Sequence, residues 1–250
     1  ETASSTSGGE GSRAAEQAPV GEVEEDPSSE TPEVLTPDGT QAAGMDSTLN
    51  DSYVDAVSTP VMDTYAFTGA ATGSIPILVP PGRKGIGPNP ALRYNSYQRN
   101  GWVGVGWDLD PGSIQRSAKR GVDYAGDEYV AVINGASSEL VPRTEWGTNA
   151  YGAKIEGAFS KYDYNTGTGG WEVTTKEGTV YYYGSDSSSR QQNAYGTFKW
   201  CLDRVEDTNG NYMTVQYWKN QGQIYPDRID YTGNGGLGPS HYVCLLYTSP

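Results

Sequence analysis

From residue 61 onward the chain is cut into short aromatic and β-branched runs, most of them bounded by Gly, Asn, Asp or Pro. This punctuation constrains the fold more than any other feature. The runs are 74–79, 90–94, 113–116, 129–133, 138–141, 154–159, 171–175, 180–183, 198–205, 212–218 and 223–231. Val, Ile, Thr, Tyr and Trp fit a pleated, half-buried surface, whereas Gly, Asn and Pro interrupt it. Few segments of helical length hold a 3.6-residue period, and the polar stretch 186–194 reads as a loop. With 19 Tyr and 6 Trp against 3 Phe, and with 33 Gly and 15 Pro, the expected fold class is all-β, made of antiparallel strands and hairpins.

Two hairpins are the clearest local readings. Residues 171–175 lead through Lys176, Glu177 and Gly178 into 179–183. Residues 200–205 lead through 206–211, which contain Asn209-Gly210, into 212–217. Asn-Gly marks a tight turn because both residues tolerate positive φ. Alternation along the second arm puts Met213, Val215 and Tyr217 on one face and Tyr212, Thr214 and Gln216 on the other.

Three regions are expected. Residues 1–58 are rich in Ser, Thr, Glu, Pro, Gly and Ala, with no aromatic before Tyr53, and cannot bury enough apolar surface to offset chain entropy. They read as a disordered acidic tail or linker. Residues 1–60 hold 13 acidic side chains and one basic one, whereas 61–250 hold 18 and 16, so most of the net charge of -14 belongs to the tail. Neither part carries the basic footprint of a nucleic-acid binder. Residues 61–242 form the β-domain, continuing beyond the C-terminal end of this sequence. Residues 243–250 look like one more strand, yet CLLYTSP back-translates as TGT CTC TTA TAC ACA TCT CC, which resembles a transposase end used in shotgun libraries. They are expected to be an adapter artefact, and the chain a fragment. No window approaches the roughly 18 apolar residues of a membrane-spanning helix. No charged-then-apolar leader is read, so any signal peptide belongs upstream.

Candidate chemistry is sparse. His241 is the only histidine and has no partner at metal or triad spacing. Cys201 and Cys244 are too few for a disulfide framework, and Cys201 sits in an apolar run as a small buried hydrophobe. Asp207 to Asn211 resembles the start of a calcium loop, but its glycine is misplaced and no distal Glu follows, so a hairpin turn is expected. Asp108, Asp110, Asp123, Asp127 and Glu128 are numerous enough for a glycosidase pair, yet most adjoin Gly or Pro, where Asp serves turns. Arg83-Lys84 lacks the Lys-Ser/Thr ending of a phosphate loop and reads as a basic turn. Tyr181, Tyr182, Tyr183, Trp200 and Trp218 suit cross-strand packing better than a sugar-stacking platform. No catalytic, cofactor-binding or metal-binding residue is assigned.

One stretch, residues 72–109, carries a more specific signal. It reads TGSIPILVP, then GIGPNPALRYNS from Gly85, then GVGWDL from Gly104, with IQR following at 114–116. Ile75, Ile77 and Val79 are expected to point inward, Gly85, Gly87 and Pro88 to set a turn, and Gly104, Gly106 and Trp107 to make a packed corner. Together with ELVP at 139–142, WCLDRVEDTNGN at 200–211 and RIDY at 228–231, this order resembles the SpvB-type N-terminal domain. That domain is found in Salmonella-type virulence plasmid B proteins and in the B component of insecticidal Tc toxin complexes, which are Rhs/YD-repeat relatives. The resemblance covers about residues 68–231. It departs at Pro90, where an apolar residue is usual, and at 97–101, which are less glycine-rich than usual.

What the resemblance implies is structural. The region is expected to be a non-enzymatic segment of a secreted bacterial toxin or virulence protein, part of a larger curved β-shell that encloses or presents a C-terminal toxic polypeptide. Any enzymatic domain, such as the separate ADP-ribosyltransferase of the family's type member, would lie outside it. Its implied partners are the remainder of the same chain, with shell, propeller and repeat regions, and the toxin A and C components. Its implied place is extracellular, with storage in the bacterial cytoplasm before release. The alternative reading is a cell-surface carbohydrate-binding or adhesin β-module, and a β-rich glycosidase using the carboxylates between 108 and 128 stands third.

Overall fold

The computed structural model describes residues 61–65, as backbone, and 69–246. The expectations for residues 1–58 and for the last four positions therefore fall outside the described residues. Among the described residues there is no helix, and every strand pairing is antiparallel. The first sheet holds β1 (Val61–Tyr65), β2 (Ala70–Pro76), β3 (Ala91–Asn95), β4 (Asn100–Gly101), β5 (Gly104–Val105) and β6 (Trp107–Asp108), in the order β1-β2-β3-β6-β5-β4.

The second sheet begins with β7 (Ser113–Arg116), β8 (Tyr129–Ile133), β9 (Ala136–Pro142), β10 (Ala150–Ala153), β11 (Lys161–Asn165), β12 (Gly170–Thr174) and β13 (Val180–Tyr183), each paired to the next. β14 (Arg190–Asn193) and the long β15 (Gly196–Glu206) follow. β15 pairs with β7 through Trp200↔Ile114 and with β13 through Tyr181↔Val205. Those two pairings join the ends of the meander, so β7–β13 and β15 form a closed eight-stranded barrel. Closure at this size leaves an interior that side chains fill or that holds one small ligand. β16 (Asn211–Asn220), β17 (Gln223–Asn234) and β18 (His241–Cys244) branch away from β15 as an additional antiparallel sheet.

Period-2 alternation decides which side chains fill the barrel. Along β12, Trp171 and Val173 are buried while Glu172 between them is exposed. Trp171 and Trp200, each 1% exposed, meet near one end with ring centroids 6.1 Å apart and planes at 82°. Tyr129, Tyr151 and Tyr164 complete this cluster, with Tyr129 edge-on to Trp171 at 4.8 Å. Edge-to-face packing is the arrangement that ring quadrupoles favour. Arg116 covers this end. Its guanidinium lies 5.3 Å from the Tyr129 ring and 5.7 Å from that of Trp200, and it donates to the carbonyls of Thr197, Asp123 and Gly126.

Both expected hairpins are present. In the first, Gly178 has φ +83 and its N–H donates to the Thr175 carbonyl at 2.9 Å. In the second, Gly210 has φ +74, and Val215 and Tyr217 are buried while Gln216 is exposed, as the alternation requires. The corner expected at Gly104, Gly106 and Trp107 forms in part: Gly106 and Trp107 pack against Tyr94, whereas Gly104 is exposed with open space around it and Gly101 takes the close contact instead. A Cβ on Gly106 would come within 2.6 Å of the Tyr94 ring, and one on Gly101 within 2.1 Å of the Trp107 carbonyl.

Other readings need correction. The strand read at 74–79 is Ala70–Pro76. Pro76 has no N–H to continue a ladder, and Ile77 and Leu78 are 36% and 48% exposed, so Ile77 is not an inward side chain. The run 154–159 is a connection, because the chain must reverse there between the antiparallel β10 and β11. Ile155 and Phe159 are 85% and 68% exposed. The polar stretch 186–194 contains β14, which pairs along the edge of β15.

Replacing Trp171 by Ala is expected to cost about 3–5 kcal/mol. Trp171→Phe should cost less than half as much, because the indole N–H has no hydrogen-bond partner among the described residues to lose. Urea denaturation of both variants checks the order. Gly184→Ala should destabilise by about 1–3 kcal/mol, because Gly184 has φ +61 and a Cβ there would come within 2.4 Å of the Trp200 ring. The same denaturation series measures it.

Candidate functional site

The N-terminal sheet supplies a cover for the second end of the barrel. After β2 the chain makes a turn in which the Ile86 N–H donates to the Arg83 carbonyl at 2.8 Å, with Lys84 at φ +52 and Gly85 at φ +84. This is the basic turn that Arg83-Lys84 suggests. Ile86 then packs against the barrel core. The Arg83 Nε donates to the Thr232 carbonyl at 2.9 Å, and the Ile77 N–H donates to the Pro90 carbonyl at 2.8 Å. Thr232 has φ +75, a strained conformation for a β-branched residue. It is held by its hydroxyl, which accepts from the Ser240 N–H at 3.0 Å.

Under this cover lies a cavity of about 360 Å³. Pro88, Pro90 and Ala91 line it from the cover, and Ile133, Tyr162, Val173, Tyr181 and Tyr183 line it from the barrel. Burial raises the pKa of all three tyrosines, with Glu156 adding to the effect on Tyr162 and Glu177 to that on Tyr181. They therefore stay neutral donors through the physiological range. Two of the lining groups are charged, and each already has a partner. Arg93 donates to the Asn134 side chain at 3.3 Å, and Asp110 accepts from Lys199 at 2.9 Å. The lining contains no histidine or cysteine. The arrangement can hold an uncharged guest, and it presents no nucleophile paired with a base.

The residues weighed from the sequence fall elsewhere. Asp110 accepts from the Gly112 N–H, the Ser113 hydroxyl and Lys199, whose ammonium sits 4.5 Å from the Trp102 ring. Burial alone would lower the Lys199 pKa, but the adjoining Asp110 carboxylate together with Cys201 and Asp108 makes the net shift upward. Asp108 accepts from the Leu109 N–H and from Gln98, Asp123 accepts from the Ala125 N–H, and Glu128 pairs with Arg120. Asp207 accepts from the Asn209 and Asn211 N–H groups and from the Asn211 side chain, so its oxygens close the hairpin turn. Chiefly the Asn211 side-chain bond holds its carboxyl below the usual range. Among the described residues no cluster of three His, Cys, Asp or Glu side chains could hold a metal ion.

Cys201 is fully buried, and burial pushes its thiol up to about 12, which makes it a packing group. His241 opens the edge strand β18, with Nδ1 3.0 Å from the Ser240 hydroxyl. Tyr183 and Trp200 are core residues, and the exposed Trp218 stacks on Tyr225 at 4.9 Å. The cavity was not legible in the sequence, because its walls come from segments far apart in the chain. Its one local signal was the Pro-Asn-Pro run at 88–90, too stiff for an ordinary surface turn.

Comparisons with known proteins agree with this architecture. A crystal structure of TcdB2-TccC3 superposes with a TM-score of 0.58 at 22% identity, covering 69% of this chain and 10% of that one. The N-terminal domain of effector protein SpvB from Salmonella typhimurium strain LT2 superposes with a TM-score of 0.51 at 18% identity, covering 69% of this chain and 67% of that one. The mono(ADP-ribosyl)transferases SpvB of Salmonella choleraesuis (strain SC-B67) and Salmonella enteritidis are each 23% identical over 193 residues. These cover 66% of this chain and 32% of the relatives, so the chain spans about a third of their length. The SpvB family, described as Salmonella virulence plasmid 65kDa B protein, matches residues 65–232. A barrel closed by the WCLDRVEDTNGN hairpin and covered by the GIGPNPAL turn is thus the local form of a known sequence family, and this chain belongs to the SpvB family.

Proposed function

We propose that the chain is a non-enzymatic structural segment of a secreted toxin or virulence protein, contributing strands to a β-shell that encloses or presents a C-terminal toxic polypeptide. The observation that carries this reading is the way its polar groups are spent. Arg116, Asp110, Lys199, Asp203 and Asp207 are built into the fold or its turns, and each binds neighbouring backbone, a nearby serine or another of the set. Of the carboxylates considered for catalysis, Asp108, Asp110 and Asp123 accept from nearby backbone N–H groups and Glu128 pairs with Arg120.

A second observation supports continuation into a larger assembly. Among the described residues β18 pairs with β17 alone, and β1 with β2 alone, so both sheets end in open edges. Open edges recruit further strands. The likeness to a Tc toxin component and to an SpvB N-terminal domain supports the same reading, with the A and C components and the rest of the chain as partners and an extracellular destination. An adhesin that stacks sugars on exposed rings is less favoured, because Trp171, Tyr183 and Trp200 are buried in the barrel.

Sequencing the gene beyond the codon for Tyr242 tests the proposal. Several hundred further residues with YD-type repeats would support it, and a stop codon shortly afterwards would sink it. The isolated 250-residue chain is also expected to self-associate as concentration rises, while a version carrying its natural continuation stays monodisperse. Light scattering over a dilution series reads the difference.

A further inference from the structure

We propose that the covered end of the barrel is a binding site for one uncharged, mainly apolar small molecule that carries a hydrogen-bond acceptor. Well-packed interiors leave few voids larger than a water molecule, and this cavity of about 360 Å³ falls within the range of small-molecule sites. It persists for identifiable reasons. Its cover is stiffened by Pro88 and Pro90, closed on itself by the Ile77–Pro90 hydrogen bond and tied to β17 by the Arg83–Thr232 hydrogen bond, which hold it over the space. Its floor belongs to a closed barrel, whose strands cannot move together without breaking ladders.

The lining selects the chemistry of the guest. Ile133, Val173, Pro88 and Pro90 offer apolar walls, and Tyr162, Tyr181 and Tyr183 bring three phenolic groups into the same wall. Phenols that stay neutral donate readily to a carbonyl oxygen. An ammonium guest would lose its hydration without gaining a counter-ion, since Asp110 is paired with Lys199, and a carboxylate guest would find one cation, the half-buried Arg93, which already donates to the Asn134 amide. An uncharged ketone or ester of aromatic size matches this set.

The test uses the 250-residue chain at low concentration with prodan, a neutral naphthyl ketone whose emission shifts to the blue in an apolar site. A saturable blue shift with one site per chain is expected. 2-Acetylnaphthalene should displace the probe. Naphthalene, which lacks the acceptor, should do so about three- to tenfold less well, and the anion 2-naphthoate, which must shed its hydration, should also compete less well than the ketone. Ile133→Phe and Ala91→Leu each add bulk at the cavity lining, and each should weaken binding by about tenfold or more. Circular dichroism identifies any variant that fails to fold, in which case the other variant carries the comparison. The proposal is overturned if the folded chain gives no saturable shift, if 2-naphthoate or naphthalene competes as well as the ketone, or if a folded cavity-filling variant binds as tightly as the parent.

Discussion

The ladder along β15 is the constraint on which the rest of the structure depends. The seven-strand meander β7–β13 has two ends, and each end is a row of unpaired N–H and C=O groups. β15 is long enough to serve both. The Leu202 N–H donates to the Gly112 carbonyl beside β7, while the Cys201 carbonyl accepts from the Gly184 N–H beyond β13. Neighbouring residues of one strand thus reach opposite edges, which is what antiparallel alternation allows. Once that strand is in place the barrel has no edge, Trp171 and Trp200 face each other, and Arg116 has rings to cover.

Much of this was legible because several strands of the barrel are short β-prone runs set between turns. The runs at 113–116, 129–133 and 180–183 match β7, β8 and β13 residue for residue. The weaker elements were missed for physical reasons. β10 is Ala-Tyr-Gly-Ala and β14 is Arg-Gln-Gln-Asn. Neither has a propensity of its own, and each is a strand because a neighbour offers it a ladder. The opposite error, a strand read at 154–159, arose because Ile155 and Phe159 look like core residues and are in fact exposed. The cavity was invisible for a third reason, since no local pattern encodes which turn covers which barrel end.

The buried charges follow one logic. Asp110 and Lys199 are 13% and 15% exposed in their side chains and sit where the first sheet passes into the barrel. A pair of this kind adds little net stability over an apolar substitute, but breaking it strands a charge and is costly. It therefore enforces one docking of the segment before β7 rather than simply tightening it. Asp203 does the same for the turn after β13, accepting from both Ser185 and Ser189.

The closing partnership of Trp200 with Ile114 has a consequence for how the molecule comes into being on the ribosome. The strands from β7 to β13 emerge first, and each can pair with its predecessor. Their sheet must nevertheless stay open, with its tyrosines and Trp171 on an unfinished inner face, until the ribosome has released β15. Long-range pairing of this kind is slow and leaves sticky surface uncovered in the interval. The vulnerable period in the life of this protein is thus its synthesis, and it ends with a single late strand.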